Sequence, residues 1–222
     1  MFVGHYAVSF VGKKITPTVP LWVLFIAVQL LDVAWAPLVL VGIEKVRIVP
    51  GITASNPLDL YYMPYTHSLV AALVWSAGAS AAYRIAFRRD GKRAALVVGA
   101  AVFSHWVLDL VVHRPDLPLY DNADKVGLGL WNFPALALGL EAALLFGAML
   151  VYFRLGIQRR AALTVFGVIM LAIQVYVFFG PPPASDKAAA GTAIVAYVVF
   201  AVVIRLLEGR SDRLVDSGQL LT

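Results

Sequence analysis

Apolar residues dominate six long stretches of the chain, at 19–43, 64–87, 93–113, 130–153, 162–180 and 188–207, separated by short connections rich in Pro, Gly, Arg or Lys. Crossing a hydrocarbon layer takes about 20 mostly apolar residues in a helix, so each stretch predicts one transmembrane span. Residues 2–11 are equally apolar but too few to span. They predict a half-helix, closed by a basic turn at Gly12-Lys13-Lys14 and Thr16-Pro17. The expected fold is all-α: a polytopic transmembrane helix bundle of about six spans plus a short N-terminal half-helix. The whole of 1–222 reads as a single membrane domain, with a motif-bearing half at 1–115, three further spans over 116–207 and a tail at 208–222. Pro181-Pro182-Pro183 predicts a stiff connector between the last two spans.

Composition removes the soluble alternative. With 61% hydrophobic and 14% charged residues and a mean hydropathy of +0.82, the chain is far more apolar than a soluble domain of its length. The net charge of +5 does not point to nucleic acid, because the basic residues cluster at the ends of apolar segments instead of forming one basic face. Lys13, Lys14, the stretches 84–93 and 154–160 and the tail from Arg205 hold most of the eighteen. The opposite loops hold Lys45, Arg47, Arg114, Lys125 and Lys187. By the positive-inside rule both termini are cytoplasmic, and the loops at 44–63, 114–129 and 181–187 face outward. The first thirty residues lack a basic leader and a small-residue cleavage signal, so no removable signal peptide is expected. There is no cysteine, so any metal must be held by His and carboxylate.

Ionisable groups at membrane depth cost roughly 2.5 to 3.5 kcal/mol each on insertion scales, so they face a protein interior or a cavity and are paired. Asp32 lies midway through the first span, His67 just inside the outer end of the second, His105 and Asp109 inside the third, and Glu141 midway through the fourth. His105 and Asp109 are four apart and share a helix face, which His113 extends by another turn. At 1.5 Å of rise per residue, Asp32 comes out about 20 Å, His105 about 18 Å and Asp109 about 24 Å from the cytoplasmic ends of their spans. His67 lies at a similar height. A half-helix rising from the Lys13-Lys14 turn would lift His5 by about 12 Å toward the same slab. Imidazole and carboxylate together suit zinc and related metals, and these candidates exceed one tetrahedral site. Two ions roughly 3.5 to 4 Å apart would activate water for phosphoester hydrolysis. Asp32, Asp109 and Glu141 are the candidate catalytic carboxylates, and the guanidinium of Arg114 borders the site and matches phosphate oxygens.

The residues Gly4-His5, Leu31-Asp32, Thr66-His67-Ser68 and Ser104-His105-Trp106-Val107-Leu108-Asp109 resemble the pattern of bacterial polytopic inner-membrane proteins classed as membrane-bound metal-dependent hydrolases. The resemblance covers roughly the first 115 residues. Their order is also similar to that of secreted zinc-dependent phospholipase C and the single-strand nucleases, whose trinuclear zinc site uses the N-terminal residue as a ligand. The resemblance implies that Asp32, His67, His105 and Asp109 ligate one zinc, and that His5 with the N-terminus ligates a second, bridged by Asp109. His113 would belong to a third. It further implies a hydrolase of the bacterial inner membrane that cleaves a lipid or lipid-linked phosphoester with a zinc-bound water. The sequence departs from the family in having Trp35 where a second acid stands and Pro64-Tyr65 before Thr66, and no His follows His113.

Plainer readings stand beside each of these. A single intramembrane His or Asp also serves as a helix-packing hydrogen-bond partner. Glu141 could pair with Gln174 or a backbone group, and His113, at a helix end, could lie on the surface. A transporter that relays protons or a metal through the same His and Asp residues is the alternative function, and a scaffold with a structural metal the third. A transporter needs polar groups continuing to the cytoplasmic side, whereas the inner halves of the spans are almost wholly apolar.

Overall fold

Residues 1–208 are described by a computed structural model, and their regular elements are helices apart from one hairpin; the tail beyond Glu208 lies outside the described residues. A 3₁₀ turn, Val3–His5, leads into α1, Tyr6–Ile15. The helix runs straight through Gly12-Lys13-Lys14, where the sequence predicts a turn, and ends at Thr16 before Pro17. Lys13 can stay in a buried helix because Glu208 Oε1 lies 3.1 Å from its ammonium, which also donates to the Pro17 carbonyl.

Among the described residues, five helices are long and apolar enough to cross a membrane: α4 (Leu69–Ala86), α5 (Gly91–Val112), α6 (Pro134–Phe153), α7 (Arg160–Phe179) and α8 (Asp186–Leu207). The stretch at 19–43 is a sixth span only as a bent pair, α2 (Leu21–Val28) and α3 (Leu30–Leu40), meeting at 53°. The break is at Gln29, a residue that tolerates helix. Its buried side chain instead donates to the carbonyl of Phe2 at 3.2 Å. The second predicted span starts late, since α4 is capped by Ser68, whose hydroxyl accepts from Ala71 N, and 64–68 forms a turn ahead of it.

The protein is an integral, multi-pass bundle with its polarity turned outside in. Leu73, Val74, Leu96, Leu150, Val165, Val198 and Leu206 are exposed around it, while histidines and carboxylates are buried. The short α1 sits inside, packed on α2, α5 and α6; α4 pairs with α5, α6 with α7, and α8 with α2 and α3. Rings of Tyr6, Phe10, Phe25, Tyr152, Phe166 and Phe200 stack around α1 below His5.

The connection at 44–63 carries an antiparallel hairpin absent from the sequence reading, β1 (Lys45–Ile48) and β2 (Leu58–Tyr62), with Ile48 opposite Leu58. The 114–129 loop folds back beside it, closed by the bridge between Leu117 and Val126, and Gly129 N donates to His113 O at 2.6 Å. Gly127, at φ +158°, makes this possible: a Cβ there would meet the Arg114 carbonyl oxygen at 2.2 Å.

At the opposite end Glu208 ties three helices together, since its carboxylate faces Lys13 and accepts from Leu21 N, the first residue of α2. Removing one partner of a buried pair leaves the other charge uncompensated. Glu208→Ala should therefore cost about 3 to 5 kcal/mol, read as a lower unfolding temperature in detergent, with Glu208→Gln milder. An unchanged transition for Glu208→Ala would remove the clamp from this account.

Candidate metal centre

On α5, His105 and Asp109 lie side by side, with Nε2 3.1 Å from Oδ2. His113 is the residue that ends the helix, and its Nε2 turns back to 3.6 Å from the same oxygen. The turn before α4 brings in His67, whose Nε2 is 3.2 Å from Asp32 Oδ1 and 3.9 Å from Asp109 Oδ2. Asp32 stands in the first turn of α3, where the break at Gln29 aims it inward, 3.7 Å from His105 Nε2. The other oxygen of Asp109, Oδ1, faces His5 Nε2 at 3.1 Å and the backbone nitrogen of Met1 at 2.5 Å. The rings of His5 and His105 stack in parallel, 3.9 Å apart and 5° from coplanar. All six residues expected to hold metal thus meet, five of them buried and Asp32 partly open.

A second ring fixes how the imidazoles point. His105 Nδ1 lies 2.7 Å from the carbonyl oxygen of Val28, which the helix break leaves available. His113 Nδ1 donates to Asp116 Oδ1 at 2.8 Å. His67 Nδ1 donates to the Thr66 hydroxyl at 2.7 Å, and that hydroxyl donates to Glu44 Oε2. Glu44 also accepts from the backbone N–H groups of Tyr65 and Thr66, and burial raises its carboxyl above the ordinary range despite these donors. With Nδ1 turned outward on three rings, Nε2 of each points at the carboxylates, where it can share a proton with them or bind a cation. His105 Nε2 makes no hydrogen bond, and neither does His5 Nδ1. Lone pairs facing carboxylates repel unless a cation lies between them, so this buried group could hold a metal ion. Zinc bonds of about 2.0–2.1 Å make a tetrahedron with edges of about 3.3–3.4 Å. The separations of 3.1, 3.2, 3.7 and 3.9 Å among Asp32, His67, His105 and Asp109 bracket that edge.

The remaining expected residues lie elsewhere. Glu141 Oε2 accepts from the backbone N–H of Phe2 and of Gly4, both at 3.0 Å, and Oε1 accepts from Gln174 Nε2 at 3.2 Å. It anchors the 3₁₀ turn that carries His5 and does not line the cavity next to the cluster. Arg114 is held by Asp59 and by Asp116 Oδ2 at 3.3 Å, and it too stands off the cavity. It joins His113 to the hairpin, since Asp59 also receives Arg47. Glu44, Asp116 and Tyr197, whose hydroxyl donates to Asp32 Oδ2 at 2.7 Å, escape the sequence reading. Only Asp116 carried a signal, three residues after His113.

That cavity, of about 440 Å³, reaches Asp32, His67, Asp109 and His113 at one end and runs between α7 and α8 at the other. Comparison with family models, with characterised proteins and with solved structures finds no match.

Outer partners of metal ligands typically change affinity by 10- to 100-fold. Thr66→Val, which removes the acceptor for His67 Nδ1, should weaken zinc binding by about that factor, and Thr66→Ser should restore it. Competition with a zinc-selective dye measures both, and equal affinity for Thr66→Val and the native chain would show that the hydroxyl does not orient His67.

Proposed function

We propose that the protein is a membrane-embedded metal-dependent hydrolase that cleaves a phosphoester of a lipid or lipid-linked substrate. Zinc is the proposed metal, with one ion on Asp32, His67, His105 and Asp109 and a second on the His5 side of Asp109. The observation that carries the reading is three imidazoles whose outward nitrogens are committed, aimed at two carboxylates that border a cavity. The resemblance of the motifs to membrane-bound hydrolases, and of their order to zinc phospholipase C, supports the same chemistry.

Zinc bound there would polarise a phosphoryl oxygen and make water a stronger acid. Asp32, the least buried member, lies on the cavity side, with Oδ2 held by Tyr197. Were zinc held without it, Asp32 would be the carboxylate placed to take the proton of the attacking water as the water oxygen adds to phosphorus, and to pass that proton to the alcohol released when the ester P–O bond opens. Asp109 keeps His5 and His105 in register through its two oxygens. Glu141 acts at one remove, holding the turn that carries His5. With the basic end cytoplasmic, as the positive-inside rule suggests, Lys13 and Glu208 lie on the inner side, the Met1 amine stands at membrane depth on Asp109 and not at the cytoplasmic face where the sequence places it, and the cavity faces the outer half of a bacterial inner membrane. Transport through the same cluster is less well supported, because the aromatic packing of Phe10, Phe25 and Phe166 stands between it and the basic end.

Metal analysis tests the reading directly. Purified protein should carry at least one zinc per chain, His105→Ala should lose it, and phosphoester hydrolysis in detergent should stop on chelation and return with zinc. Less than one zinc per chain, unaltered by His105→Ala, would overturn the proposal. Proton or metal flux in liposomes that Asp109→Asn abolishes would replace it with transport.

A further inference from the structure

The cavity has a shape that the chemistry at its polar end does not require. The consecutive helices α7 and α8 part instead of pairing, α7 packing on α6 while α8 packs on α2 and α3, with Pro181-Pro182-Pro183 spanning the gap. One wall of the gap is Ile173 and Val177 of α7. The other is Ala189, Ala193 and Ala196, which share one face of α8, with Thr192 among them, its hydroxyl turned to the Ala188 carbonyl. Both walls belong to helices apolar enough to span a membrane, and the cavity also reaches Asn56, Pro57 and Pro181-Pro182-Pro183, so the gap runs from the hairpin end down between those two helices. Where it meets the metal cluster, two buried polar groups lack partners: the indole N–H of Trp35, 4% exposed, and Oε1 of Gln174, 1% exposed. Both residues line the cavity. Buried polar groups are normally hydrogen-bonded, so a donor and an acceptor left unmet on residues that line the cavity suit a ligand with a polar head group.

We infer that this gap is a lateral portal through which a bilayer lipid with a phosphorylated head group reaches the cluster. Its hydrocarbon chain lies along the alanine wall of α8, and Trp35 and Gln174 take the head group. For the reaction at the polar end this rests on the hydrolase reading above, but the binding geometry does not. The apolar wall favours a bilayer lipid over a soluble phosphoester. Bulk on the wall therefore separates long-chain from short substrates.

The test uses the full chain in nanodiscs of phosphatidylglycerol doped with a phosphatidylglycerol whose acyl chain bears a diazirine. Irradiation and peptide mapping should place crosslinks at Val177 and along 189–196, and Ala193→Trp should remove most of them while zinc content is unchanged. The same variant should lower kcat/KM for the long-chain lipid at least about tenfold, the scale on which apolar pockets discriminate by size. Turnover of soluble bis(p-nitrophenyl) phosphate should persist. Ala189→Phe, on the same wall, provides the same comparison should the first variant fold poorly. Crosslinks spread over outward residues such as Leu73 and Val165 would overturn the portal, as would equal loss of both activities with zinc retained. Crosslinks confined to the gap in a protein that holds no zinc and hydrolyses nothing would sustain the portal and remove the hydrolase.

Discussion

Asp109 places a carboxylate in the middle of a membrane bundle, and its two oxygens divide the nitrogens around it into two sets. Oδ1 receives Met1 N and His5; Oδ2 receives His105, with His113 and His67 farther out. An unpaired carboxylate at such depth would cost several kcal/mol, and a lone imidazole little less. Neither is tolerable without the other, so the elements that carry them must converge: the 3₁₀ turn, the turn before α4, α3 and α5. A proton or a metal ion between the ring nitrogens and the carboxylates completes the attraction. The cluster is therefore both the most expensive part of the bundle to assemble and the part that a metal would most stabilise.

The backbone is irregular where this convergence demands it. Non-helical backbone at membrane depth persists only where protein buries it or it lines a cavity. The break at Gln29, the turn Val3–His5 and the stretch ahead of Ser68 all adjoin the cluster. Each leaves backbone groups that side chains then claim. Val28 O meets His105, the N–H groups of Phe2 and Gly4 meet Glu141, and His67 O accepts the Trp106 indole at 3.0 Å. The residues between His105 and Asp109 are thus not mere spacers, because Trp106 fixes α5 against the turn that carries His67.

The sequence exposes whatever depends on length and depth. Runs of apolar residues located the spans, and counting rise per residue put Asp32, His67, His105 and Asp109 at one height, where the structure brings them together. What depends on contacts across the chain is hidden. Gln29 is compatible with a continuous helix, and only the Phe2 carbonyl beside it rewards a break. Lys13 reads as the end of a half-helix because its neutralising partner, Glu208, sits at the far end of the last span. Glu44 and Asp116 lie in connections without periodicity, and their role appears only once Thr66 and His113 are placed beside them. Arg114 borders the site in sequence, as expected, yet Asp59 and Asp116 draw its guanidinium toward the hairpin.

The two sides of the cluster differ in kind. Toward the basic end, Phe10 meets Phe25 edge-on at 5.6 Å between centroids and Tyr152 at 5.5 Å, a packed aromatic floor. Toward the hairpin end the cavity opens between α7 and α8 beside Pro181-Pro182-Pro183. A floor of close-packed rings keeps water and ions from continuing through and preserves the low dielectric in which the cluster's charges act strongly on one another. Asp32 and Asp109 both border the cavity, Asp32 the more open of the two, with Tyr197 holding its Oδ2. A conduit would need comparable polarity on both sides; a pocket needs one closed wall and one opening. The asymmetry of packing, more than the identity of any single ligand, gives the cluster the form of a one-sided pocket.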